Sequence, residues 1–167
     1  HHARTVGQFH QADMELAANA LMGAAYGSAG ERCMAISVAV TVGDAGDRLV
    51  SALQAKLAAL KVGPGTTDVD MGPLVTAEHR DRVRSYIDTG ISEGANLLVD
   101  GRATRVPGSE GGFFLGASLF DHVTPAMRIY GEETFGPVKC IVRVKGVEEA
   151  VACANDNDYG LSAAVFG

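Results

Sequence analysis

At 167 residues the chain is one domain's worth of sequence, since domains run roughly 100–200 residues. Its net charge of −6, with no dense Lys/Arg block, excludes a surface built to grip phosphate backbones or anionic membranes. Hydrophobic residues at 47% and charged residues at 20% describe a packed globular domain and not a disordered one, and the longest nearly apolar run, 33–42, is far too short to span a bilayer. No signal-peptide pattern opens the chain. Glycine is abundant at 21 residues and Trp is absent, so the core is expected to be built of small and aliphatic side chains. The cysteines, Cys33, Cys140 and Cys153, are odd in number, widely spaced and without a C-x-x-C, which reads as buried thiols in a reducing cytoplasm.

Residues 1–11 are polar, hold His1, His2 and His10, and show no period; they are set aside as a tag or foreign segment. Asp13 can cap a helix to about Tyr26, whose stripe is Leu16, Ala17, Ala20, Leu21, Ala24 and Ala25. A Gly-bearing loop, 27–30, leads through Glu31-Arg32-Cys33 to a β-branched apolar run, Ile36 to Val42, the pattern of a buried strand. Leu49, Leu53, Leu57 and Leu60 share one face of a second helix from Ala45. A long loop, 62–75, precedes a third helix capped by Thr76 and running to about Glu93, with Val83, Tyr86, Ile87 and Ile91 inward. Leu97–Val99 reads as a strand, Asp100-Gly101 as a hairpin turn, and Phe113–Phe120 as the next strand. A helical turn after Pro125, a strand Val138–Val144, a helix Glu148 to about Asn155 and a strand Leu161–Phe166 complete the chain. Helices alternating with apolar strands predict an α/β fold, an open sheet flanked by helices, and the hairpin makes that sheet mixed.

Phosphate-loop, dinucleotide-fingerprint, zinc-protease and serine-elbow motifs are all missing from the sequence. His79, on a polar helix face, and His122, beside a turn, read as plain surface histidines, and Asp68 and Asp70 as a solvated acidic loop without the oxygen count of a Ca²⁺ site. Cys33 stands apart. A cysteine attacks as thiolate, and the neighbouring Arg32 cation and a glycine-bearing turn favour that form and let a substrate approach. On these grounds a reactive thiol and a buried structural thiol remain two open readings; Cys140 and Cys153 read as inert core residues.

Three segments carry a resemblance. Tyr26-Gly-Ser-Ala-Gly30-Glu-Arg-Cys33-Met-Ala35 resembles the cysteine signature of the aldehyde dehydrogenase superfamily, Glu132-Glu133-Thr-Phe135-Gly136-Pro137 its E-E-x-F-G-P motif, and Asn155 through Tyr159-Gly160-Leu161 to Phe166 its N-x-x-x-Y-G-L stretch. They occur in the family's order, and the resemblance runs from about Ala12 to the end. It implies the catalytic, Cys-bearing lobe of an aldehyde dehydrogenase. Cys33 would attack the aldehyde carbonyl, and its backbone N–H would supply half of an oxyanion hole. Glu133 would hold the nicotinamide ribose hydroxyls and Phe135 would pack near the nicotinamide of NAD. The alternative for Glu133 is an ordinary exposed acid, and for Phe135 core packing.

Glu31-Arg32-Cys33-Met34-Ala35, with Asn96 through Arg102, is similar to the methylmalonate-semialdehyde branch of the family. There Arg32 would bind a substrate carboxylate, for which a guanidinium is a planar fork; the alternative is an Arg bonded only to backbone. That branch implies coenzyme A as acyl acceptor, a small carboxylated aldehyde as substrate and a homo-oligomeric parent enzyme. The family's NAD-binding domain and general base are expected to lie before the matched region, so residues 12–167 read as part of a catalytic domain, inactive alone. Two further readings stay open. One is a structural or oligomerisation module in which Cys33 is a bystander. The other is a thiol hydrolase pairing Cys33 with His79 or His122.

Overall fold

The computed structural model describes residues 3–7, 13–156 and 160–166, the first of these as backbone only. Six strands form one sheet in the order β3-β4-β5-β2-β1-β6: β1 (Ala3–Gly7), β2 (Ile36–Val42), β3 (Asn96–Val99), β4 (Ser118–Asp121), β5 (Val138–Val144) and β6 (Ala163–Phe166). β3 and β4 are antiparallel and every other pairing is parallel, so the sheet is open and mixed, as predicted.

Helix α1 (Met14–Tyr26) starts where Asp13 accepts hydrogen bonds from the Glu15 and Leu16 amides, at 3.0 Å each, which satisfies two of the helix's orphan donors. Its buried stripe is Ala17, Ala18, Leu21, Ala25 and Tyr26, a little rotated from the predicted one: Leu16 is 60% exposed. Helix α2 (Ala45–Ala59) buries Leu49, Leu53 and Leu57 and packs beside α1. Helix α3 (Ala77–Ser92) is capped by Thr76, whose Oγ1 accepts from the His79 amide at 3.1 Å, and it buries Val83, Tyr86 and Ile87 while Ile91 faces out. A single turn, α4 (Arg128–Gly131), precedes β5, and α5 (Val147–Asn155) packs on β1 and β2.

The pairing register sorts the sheet's two faces. Ala39, Leu119 and Ile141 meet Leu21, Ala25 and Leu53, so α1 and α2 cover that side. On the other, Phe120 and Ile129 crowd Gly90 of α3, and the Cys140 thiol donates to the Ile129 carbonyl at 3.6 Å. Burial pushes that thiol up to about 12, which makes Cys140 inert at neutral pH. Cys153 is only half-buried, with the Tyr130 hydroxyl 3.2 Å from its sulfur. A part-buried ion pair joins β4 to β5: Arg143 donates two hydrogen bonds to Asp121, at 3.0 and 2.8 Å, and a third to Asp47.

Two expectations are corrected. Ala3–Gly7, inside the segment set aside as foreign, is strand β1, paired in parallel with both β2 and β6. A strand flanked on both sides takes its definition from its neighbours, and so short a run carries no periodicity of its own. The hairpin is not tight either. Asp100 accepts from the Arg102 amide and starts a short helical turn, 101–103, and the chain wanders to Ser118 before β4 begins. Two glycines cause this. The Gly116 amide donates to the Gly101 carbonyl at 3.0 Å, and a Cβ on Gly101 would sit 1.9 Å from the Gly116 oxygen, so the two backbones are pressed together before any strand pairing starts.

Candidate active site

The cysteine loop runs directly into β2 and the Glu132–Pro137 loop directly into β5, and these strands are parallel neighbours. Cys33 and Phe135 each stand five residues before one registered pair, Val38 opposite Cys140. Two segments about a hundred residues apart in sequence therefore emerge side by side at the same end of the sheet.

Backbone contact fuses them. Ser28, Ala29 and Gly30 take positive φ in succession (53°, 55° and 72°), a left-handed turn that reverses the chain after α1. That turn sets Gly30 so close to Gly136 that a Cβ would lie 2.4 Å from the Gly136 oxygen. Gly136 in turn leaves room for Val83 of α3, whose methyl carbons a Cβ would meet at 2.7 Å. Only glycine fits at both places, which gives a physical reason for the G-E-x-C and F-G-P patterns.

At this junction Cys33 is exposed, and Met34 (58%), Val75 (70%) and Phe135 (37%) are exposed large apolar side chains. Phe135 holds a positive φ of 51°, a conformation that costs a non-glycine residue roughly 1–2 kcal/mol and is kept only where its surroundings enforce it. Glu133 is half-buried, and Arg82 of α3 donates to its carbonyl at 3.4 Å. The neighbouring acid is engaged otherwise. Glu132 accepts from the Tyr86 hydroxyl at 2.8 Å and pairs with Arg128, which holds its carboxyl below the usual range.

Arg32 is placed as the backbone-bonding alternative requires. One of its amino groups donates to the Gly23 and Ala24 carbonyls, at 2.6 and 3.1 Å, and the guanidinium lies over Gly27. It thus caps the C-terminal end of α1, where free carbonyls favour a cation. His79 is not a plain surface residue. Its side chain is 16% exposed, and Nε2 lies 2.7 Å from the Phe135 carbonyl oxygen and 3.3 Å from Glu31 Oε1. With that nitrogen engaged and no hydrogen bond to Cys33, the thiol hydrolase pairing has no support from His79. His122 is exposed beside Asp121 on the strand following a different loop. Sequence reasoning missed His79 because its partners lie 48 residues before it and 56 after it in the chain. Among the described residues no cluster of His, Cys, Asp and Glu could hold a metal ion, and no helix is long and apolar enough to cross a membrane.

Known proteins resemble this chain in sequence and in fold. The sequence model of the aldehyde dehydrogenase family matches residues 6–167, which include part of β1. A malonate-semialdehyde dehydrogenase of Pseudomonas aeruginosa is 58% identical over 157 residues, covering 93% of this chain and 32% of that protein. A Drosophila melanogaster relative named as an acylating methylmalonate-semialdehyde/malonate-semialdehyde dehydrogenase is 44% identical over 156 residues, with 93% of this chain and 30% of that one covered. Among solved structures, one from Sinorhizobium meliloti, described as a methylmalonate-semialdehyde dehydrogenase complexed with NAD, superposes with a TM-score of 0.94 at 48% identity, over 99% of this chain and 34% of that one. The chain thus spans about a third of the length of these relatives. A match to the family's sequence model over nearly every residue, on the family's fold, shows that the chain belongs to the aldehyde dehydrogenase family.

Proposed function

We propose that this chain is part of the catalytic domain of a methylmalonate- or malonate-semialdehyde dehydrogenase, with Cys33 as the nucleophile. The observation that carries this reading is the junction itself. An exposed thiol shares one end of the sheet with Glu133 and the exposed Phe135 ring, and backbone-to-backbone packing locks the two loops together.

The Cys33 thiolate adds to the aldehyde carbonyl carbon, forming a C–S bond and a thiohemiacetal oxyanion, which the Cys33 N–H stabilises. Loss of hydride from that carbon leaves a thioester on Cys33. An NAD held at this junction would supply the acceptor for that hydride. The site fits that end of the cofactor: Glu133 offers a carboxylate to ribose hydroxyls, and Phe135 offers an exposed apolar ring at the same end of the sheet as Cys33. Arg32, anchored through one amino group to two α1 carbonyls, keeps the rest of its fork for a substrate carboxylate. A thiol acceptor, coenzyme A in this reading, then displaces Cys33 from the acyl carbon, and the thiolate returns to its starting state. The adenosine-binding part of an NAD site and a general base belong, in this reading, to the remainder of a longer parent chain in the cytoplasm, a homo-oligomer.

Thiol labelling tests the assignment. Iodoacetamide at neutral pH should modify Cys33 at least tenfold faster than Cys140, which is buried and held in its thiol form. Labelling of Cys33 no faster than that of Cys140 and Cys153 would remove the nucleophile from the reading and leave a structural module.

A further inference from the structure

Three elements meet at the candidate active site: the cysteine loop, the Glu132–Pro137 loop and the start of α3. Glycine contacts bring the first two together, but glycines only permit closeness and do not enforce it. One side chain reaches both loops. His79 Nε2 lies 2.7 Å from the Phe135 carbonyl oxygen and 3.3 Å from Glu31 Oε1. A carbonyl oxygen can only accept, so Nε2 carries the hydrogen and donates it to Phe135, while the Glu31 carboxylate lies within ion-pair distance of the same nitrogen. The imidazole also stands edge-on to the Phe135 ring, with centroids 6.1 Å apart.

The partners on either side are themselves tied down. Glu31 Oε1 accepts from the Val75 amide at 3.3 Å, and its side chain is only 14% exposed. The His79 amide is held by the Thr76 hydroxyl, and Val83, one turn further along α3, fills the space left by Gly136. Phe135 holds a strained positive φ, and the His79 imidazole gives its carbonyl a partner. Glu31 lies two residues before Cys33.

We propose that His79 is a positioning residue: it fixes the cysteine loop and the Phe135 loop in one register, so that sulfur and cofactor platform keep their mutual geometry. This rests on the reading of Cys33 and Phe135 given above, yet its test does not depend on turnover. Amide hydrogen exchange by mass spectrometry follows the two loops separately in the 167-residue chain. Removing the bridging imidazole in His79→Leu should speed exchange about three- to tenfold in both segments, 28–36 and 132–138, the factor expected for loss of one hydrogen bond. His79→Gln, whose side-chain amide keeps an N–H donor, should recover most of the protection. Glu31→Gln, which keeps the side chain's shape and weakens one arm, should loosen 28–36 more than 132–138. His122→Leu, on the far side of β4, should change neither. Loosening of one segment only in His79→Leu, or no recovery in His79→Gln, would overturn the clamp. Should His79→Leu fail to fold, the Gln and Glu31 variants decide alone: equal loosening of both loops by Glu31→Gln, or loss of protection with Gln at 79, overturns it. Cys33 labelling rates relative to Cys140 and Cys153 report on the nucleophile assignment separately, so either idea can fail without the other.

Discussion

Lys139 gives the sharpest test of the energetics. It sits in the middle of the core, 6% exposed, on β5 between Val138 and Cys140 and on the face covered by α1 and α2. No hydrogen bond or ion pair reaches its ammonium among the described residues, and Arg32 adds a second positive charge nearby. Burial is the main cause; partly opposed by Cys140 and aided by Arg32, it pushes the amine down to about 8 from an ordinary 10.5. A displacement of that size costs the folded state about 3 kcal/mol wherever the group is charged in both states. The sign follows from proton counting. The folded pKa lies below the unfolded one, so the penalty is full below about pH 8, shrinks as pH rises and is gone above about 10.5. Lys139→Met removes the charge at nearly constant length and should stabilise the chain by about 2–3 kcal/mol at pH 7, with the advantage over wild type falling steadily between about pH 8 and 10. Urea denaturation at a series of pH values reads this directly from paired midpoints. A Met variant no more stable at pH 7, or an advantage that does not change with pH, would refute the placement of an uncompensated amine in this core.

Other outcomes follow from the same contacts. Gly30→Ala should cost at least about 2 kcal/mol, since the position needs φ of 72° and a Cβ would strike the Gly136 carbonyl; a thermal melt within a degree of wild type would contradict the packed junction. Asp121 is pulled two ways. Burial opposes its charge, but the Arg143 bonds and the His122 amide outweigh this and hold its carboxyl below the usual range. Asp121→Asn should therefore destabilise by about 3 kcal/mol near neutral pH, where Arg143 keeps only Asp47. Because the folded pKa is depressed, that contribution is present above the ordinary Asp value and is lost as pH falls through the folded one, so the two urea midpoints should converge in acid. Arg32→Ala removes the side-chain donor from the Gly23 and Ala24 carbonyls and should lower the melting temperature by an amount matching about 1 kcal/mol; an unchanged melt would show that the cap is idle.

Local signals in the sequence were strong wherever an element's own residues define it. The Asp13 and Thr76 caps, the Leu49-Leu53-Leu57 stripe and the limits of β2 and β5 are where propensity, capping and periodicity put them. Elements defined by their neighbours were not legible. β1 has too few residues to show a pattern, and the segment before β4 is shaped by the pairing of Gly101 with Gly116. Lys139 hid inside an otherwise apolar strand run, where nothing local signals how costly its burial is.

The candidate site divides the same way. On its own residues only Cys33 stood out, as a thiol beside a cation and a glycine-bearing turn; Glu133 and Phe135 were singled out by the resemblance to the aldehyde dehydrogenase motifs. Their juxtaposition is a property of the sheet: parallel pairing of β2 with β5 in one register brings both loops to the same end. Arg32 could be read from sequence as a carboxylate fork or as a backbone cap, and only folded α1 supplies the carbonyls that engage it. His79 looked like surface on its own helix and became a bridge because hydrogen bonds reach across space to partners that sequence distance conceals. The sequence by itself determined the family's motifs and, through them, the residues proposed to carry the chemistry. Tertiary structure decided which side chains and backbone groups those motifs meet, since hydrogen bonds and close packing act between atoms within a few ångströms, however far apart they lie along the chain.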